Sequence, residues 1–138
     1  MGRRRQGRET ALQALYLSDT GKMSVAEAVL IVTAGGPIDE KTLEFARALA
    51  EGTASHIADL DVHIQEIAQN WSLERMATVD RNLLRLASFE LIFHPQTPVR
   101  VVIDEAIEIA KSFSSAESSK FINGILDKIK DRRPEGAA

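Results

Sequence analysis

The chain has 138 residues, 44% of them hydrophobic and 27% charged, with a formal net charge of −3 and no cysteine. That length makes about one domain, able to bury roughly two thirds of the surface its unfolded chain exposes, so no staple is required and disulfides are excluded. No stretch nears the roughly 18 apolar residues of a membrane span, and ALQALYL at 11–17 is too short for the apolar part of a signal peptide. A soluble, cytoplasmic protein without membrane contact is expected. The charge is uneven: residues 1–10 carry +3 and the remaining 128 carry −6. A local anion site is therefore compatible with an acidic whole.

Ala, Leu, Glu, Lys and Arg dominate and no stretch of any length alternates with period two, which predicts helix nearly throughout. A first helix is expected over about 5–19, with Ala11, Leu12 and Leu15 on one stripe and Gly21 ending it. Ser24 and Glu27 form a capping box for a short second helix. Ala34-Gly35-Gly36-Pro37 is the clearest break. Asp39 caps the next helix, striped by Leu43, Ala46, Leu49, Ala50, Thr53 and Ile57, and helical spacing continues through Leu60, Ile64, Ile67 and Trp71 after a bend near 59–61.

Ser72 is expected to cap a segment running to about His94. Apolar residues on more than one side (Val79, Leu83 and Leu86; Leu84, Ala87 and Leu91) mark it as central. Pro95 and Pro98 bracket a loop before a helix at about 100–113, and Ser114 and Ser115 separate that helix from the last one. The expected architecture is all-α: about seven helices in two three-helix bundles sharing a core. It forms a single domain over 1–138, with flexible ends at 1–4 and 131–138.

Arg3, Arg4, Arg5 and Arg8 crowd the start of the first helix. Guanidinium groups pair with phosphate in a fork geometry. Cations at a helix N-terminus oppose the macrodipole, which makes sense where an anion visits. Helical spacing puts Arg4, Arg5 and Arg8 on the side of Leu12 and Leu15, emerging where the packed stripe leaves the core; a solvated tail is the equal alternative on composition. Phe113 and Phe121 flank a serine-rich loop beside Lys120 and could stack bases, although both also fit apolar stripes. Asp104, Glu105 and Glu108 read as a solvated acidic face. Glu90 and His94 lack the paired motifs of a di-metal bundle. No catalytic, cofactor or metal site is expected.

Three stretches together resemble the NusB family of bacterial transcription antitermination factors: RRRQGRETALQALY at 3–16, WSLERMATVDRNLLRLASFEL at 71–91, and VVIDEAIEIAKSFSSAESSKFINGILDKI at 101–129. The resemblance implies a fold of two three-helix bundles. It also implies a non-enzymatic role binding boxA-type single-stranded RNA of ribosomal transcripts with NusE, a small-subunit ribosomal protein, within an RNA polymerase antitermination complex. By position it assigns RNA contact to Arg3, Arg4, Arg5, Arg8, Tyr16, Phe113, Glu117, Lys120 and Phe121, and partner contact to Asp80, Arg81 and Arg85. Ser114 and Ser119 depart from the family pattern, where Gly and His often stand. Family members can self-associate, so a homodimer covering the RNA face is carried as an off state. Two rival readings are a helical adaptor that binds protein only and an accessory domain related to ribosomal RNA methyltransferases.

Overall fold

The computed structural model describes residues 2–134; Met1 and residues 135–138, which belong to the two ends expected to be flexible, lie outside the described residues. The described residues hold seven α-helices, as the composition implies, in two compact units.

The first unit, residues 1–55, contains α1 (Gly2–Gly21), α2 (Val25–Thr33) and α3 (Glu40–Ser55). α1 packs on both α2 and α3. Ala11, Leu12, Ala14 and Leu15 of α1 are buried, as are Val25, Ala28 and Val29 of α2 and Ala46, Leu49 and Ala50 of α3. Each helix thus buries the apolar stripe that its 3.6-residue period makes. α1 ends one residue later than the glycine rule suggests. Lys22, at φ 56°, takes the left-handed position, and its N–H donates to the Ser18 carbonyl at 3.1 Å. The α2 capping box forms: Ser24 Oγ accepts from the Glu27 N–H, and Glu27 Oε1 accepts from the Ser24 N–H. Asp39 Oδ1 accepts from the Thr42 N–H at 2.8 Å and so caps α3.

The second unit, residues 56–138, contains α4 (Ile57–Ile67), α5 (Thr78–Phe93), α6 (Val99–Phe113) and α7 (Ala116–Ile129), with short 3-10 turns at Leu73–Arg75 and Lys130–Arg132. α5 is the central element: it packs on α4, α6 and α7, and Leu83, Leu84, Leu86, Phe89, Leu91 and Ile92 are all buried. The last carbonyls of a helix have no partner within it. Arg133 supplies one to α5, donating from Nε to the Leu91 carbonyl at 2.7 Å and from Nη2 to the Glu90 carbonyl at 3.1 Å.

Several boundaries differ from the sequence reading. α1 begins at Gly2 and not near 5, and the break expected near 59–61 falls at His56. The helical spacing expected through Trp71 ends early, and Ser72 makes no side-chain cap: only a 3-10 turn at Leu73–Arg75 follows it, and α5 begins at Thr78. There α4 stops at Ile67, and the side chain of Gln65 takes over the loop's backbone groups. Its Nε2 donates to the carbonyls of Ala68 and Trp71, and its Oε1 accepts from the Leu73 N–H. With those groups satisfied the chain need not continue as helix, and Trp71 is left 58% exposed. Among the described residues no helix is long and apolar enough to cross a membrane.

Candidate nucleic-acid interface

The first turn of α1 is GRRR, with no acidic residue to balance its unpaired N–H groups. α3 and its capping residue supply a partner to each of three arginines. Arg3 Nε lies 3.3 Å from Asp39 Oδ2 in an exposed ion pair. The Arg4 guanidinium lies over the Phe45 ring, 4.3 Å from its centroid, and that of Arg8 lies over the same ring at 5.4 Å. Arg5 is half-buried and has interactions of its own. Tyr16, further along α1, is 39% exposed.

Arg8 does not emerge as expected: it is only 4% exposed. The packed stripe runs one turn further toward the N-terminus because position 7 is glycine. A Cβ there would sit 2.6 Å from Cδ2 of Phe45, so only a residue without one lets the ring reach α1 and cover Arg8. The exposed part of the cluster is Arg3 and Arg4, with Arg5 at its edge.

Asp39 links this cluster to pH. Donation by the Thr42 backbone N–H, aided by the charge of Arg3, holds its carboxyl below the usual 3.8. A lowered folded-state value stabilises the protein above the unfolded carboxyl's 3.8, and the contribution disappears as pH falls through the lower folded value. Asparagine still caps a helix but carries no charge. Asp39→Asn is therefore expected to melt below wild type near neutrality, with the gap closing as pH falls through 3.8 and below in thermal melts. A gap that stays constant through that range would show that the charge at 39 contributes nothing.

The second unit carries the other expected residues. Phe113 ends α6 at 36% exposure. Ser115 caps α7, its Oγ accepting from the Ser118 N–H at 3.0 Å. Glu117 and Lys120 on α7 are exposed, and the half-buried Phe121 meets Trp71 edge-on, with centroids 6.0 Å apart. Trp71, Arg75, Asp80, Glu117, Ser118 and Phe121 line a cleft of about 350 Å³.

At the cleft wall Asp80 is 8% exposed. Its Oδ2 accepts from the Ser118 hydroxyl at 2.8 Å, and Ser118 in turn accepts from the Ser114 and Ser115 hydroxyls. Its Oδ1 is buried without a hydrogen-bond partner. A buried carboxylate oxygen left open is costly unless a donor reaches it.

Asp80 thus stands with Glu117 and Phe121, not with Arg85, although the sequence reading grouped it with Arg81 and Arg85. Arg85 forms a fork with Asp61, Nε to Oδ1 at 2.7 Å and Nη2 to Oδ2 at 2.9 Å, on a side chain 12% exposed. Arg81 donates to the Leu73 carbonyl at 3.4 Å. Both are engaged within their own unit.

Phe45, Asp39 and Trp71 were absent from the sequence-based site. The one local signal was Gly7, an isolated glycine inside a helical pattern, which marks a close approach. Among the described residues no group of three or more His, Cys, Asp or Glu could hold a metal ion.

The NusB family model matches residues 5–131. The chain belongs to the NusB family. It is 48% identical to the transcription antitermination protein NusB of Elusimicrobium minutum over 99% of each chain. The T. maritima NusB structure is similar at TM-score 0.88 and 37% identity, covering 94% of this chain and 92% of that one. A crystal structure of antitermination factors NusB and NusE in complex with double-stranded RNA is similar at TM-score 0.87 and 28% identity, covering 95% and 98%. The NusB resemblance carried by the three sequence stretches thus holds over nearly the whole chain. The relatives are transcription antitermination proteins, and the family is not one of enzymes.

Proposed function

We propose that this NusB-family chain is an RNA-binding adaptor that holds boxA-type single-stranded RNA of ribosomal transcripts together with NusE, as part of an RNA polymerase antitermination complex in the cytoplasm. The observation that carries the reading is Arg3, Arg4 and Arg5 in the acid-free first turn of α1. Fork-shaped cations stand there on an already positive helix end, the arrangement a phosphate backbone would reward. The solved NusB–NusE complex with RNA supports the partner classes.

In this reading the arginines supply phosphate contacts and most of the salt dependence, while sequence choice comes from bases. Tyr16 and Phe113 are rings exposed enough to stack unpaired bases, and Phe121 and Lys120 add a ring edge and a charge in the second unit. Asp80 serves the protein partner. Its carboxylate, at the wall of a cleft that Trp71 and Phe121 also line, has one oxygen buried without a partner, and a small rearrangement that let a cationic side chain of NusE reach it would fix register and specificity. Arg81 and Arg85 support that face through their internal contacts.

A filter-binding titration with boxA and scrambled RNA, with and without NusE, tests the reading. Expected are a preference for boxA that NusE strengthens and loss of the NusE effect in Asp80→Lys with intrinsic RNA binding retained. Absence of selectivity in both conditions would favour the protein-only adaptor. A NusE effect that survives Asp80→Lys would remove the partner role from the cleft.

A further inference from the structure

Phe45 does not belong to the buried stripe of α3, which runs through Thr42, Ala46, Leu49, Ala50 and Thr53. Its ring instead lies against α1 at Gly7, closer than any side chain at position 7 would allow. Arg4 and Arg8 flank that glycine at helical spacing, and both guanidiniums lie over the ring. Six positions before Phe45, Asp39, the cap of α3, receives Arg3. One helix and its capping residue therefore present an aromatic face and a carboxylate to three arginines of another.

We infer that Phe45 is a positioning residue for RNA binding, its negative ring face holding Arg4 in the array that meets the phosphate backbone, with Arg8 behind it. The inference rests on the RNA reading above. Two physical consequences give it content. A long arginine side chain loses several rotors when it grips a phosphate, and one already laid on a ring loses fewer. Two guanidiniums sharing a ring also repel one another, so an arriving phosphate relieves a strain that the ring maintains. An exposed arginine without the ring has neither advantage. Arg8, buried and on the same ring, acts from behind: its charge adds to the field at Arg4 without a direct grip on the ligand.

The test is a double-mutant cycle on the full chain, read as affinity for boxA RNA across a salt series. Arg4→Ala is expected to weaken binding about fivefold when residue 45 is Phe and less than about twofold when it is Leu, and Phe45→Leu alone is expected to flatten the salt slope. Phe45→Tyr, which keeps the ring, is expected to bind as wild type. Should Phe45→Leu fail to fold, pentafluorophenylalanine at 45 replaces it. That residue keeps the shape and removes the ring's negative face, and it is expected to give the same loss. Equal costs of Arg4→Ala in both backgrounds, or full affinity with the fluorinated ring, would overturn the inference while leaving the RNA reading intact. Wild-type protein that shows no preference for RNA over buffer controls would overturn both.

Discussion

Replacing Arg3, Arg4 and Arg5 together by alanine is expected to weaken boxA RNA binding more than tenfold at moderate salt, with an unchanged helical circular dichroism spectrum. Each phosphate neutralised on a single strand adds roughly 0.7 to the slope of log affinity against log salt, so three lost contacts should flatten it by about 2. The fold should tolerate the change because the terms nearly cancel. The Arg3–Asp39 pair is exposed and weak. Loss of the Arg4–Phe45 contact costs about 0.5–1 kcal/mol. Removing three cations from a helix N-terminus returns a few tenths of a kcal/mol each. A variant that binds as wild type at moderate salt would defeat the assignment of the RNA site to this turn.

Gly7→Ala is the second large effect, and its sign is the informative part. In an ordinary helix interior this change gains about 1 kcal/mol, since glycine is the poorer helix former. Here the new Cβ meets the Phe45 ring at 2.6 Å, a rigid group that must move as a whole. Overpacking of this kind costs about 1–3 kcal/mol. A net loss is expected, seen as a melting temperature several degrees lower and faster amide exchange in α1. The displaced ring should also release Arg8 and reduce the salt slope of RNA binding. A rise in melting temperature would show that α1 and Phe45 are not held in this close contact.

The two substitutions mark where the sequence was readable. Features fixed by neighbours along the chain were legible: the Ser24–Glu27 box, the Asp39 cap, the stripe of α1 and the apolar breadth of α5 each need only a few consecutive residues. Features fixed across the fold were not. Nothing near Trp71 announces that Gln65 will satisfy its loop, so apolar spacing alone extends the helix too far. Nothing near Arg8 announces Phe45, 37 positions away, so an arginine at the end of a stripe reads as exposed when it is covered. Arg85 reads as a free partner-facing charge until Asp61, 24 residues earlier, is seen in its fork. The proposed RNA site was named from its residue types and from family resemblance. Which arginines face outward depended on one glycine and one ring.

The serine-rich joint between α6 and α7 makes the same point. Ser114 and Ser119, expected from the sequence to depart from the family pattern, stand in a well-bonded joint. Ser114, Ser115 and Ser118 form a hydroxyl chain that ends on Asp80, and the Ser119 hydroxyl donates to the Ala116 carbonyl at 2.7 Å. Hydroxyls here do the local bonding that holds the α7 N-terminus, and they orient the carboxylate whose second oxygen remains open.

Photo-cross-linking of boxA RNA to the intact chain, with the linked residues identified by mass spectrometry, tests the central claim most directly. The account predicts that adducts concentrate in the amino-terminal turn of α1, at Arg3 to Arg5, and thin out at high salt. RNA held at saturation with that turn unmodified, and adducts confined to other segments, would contradict it.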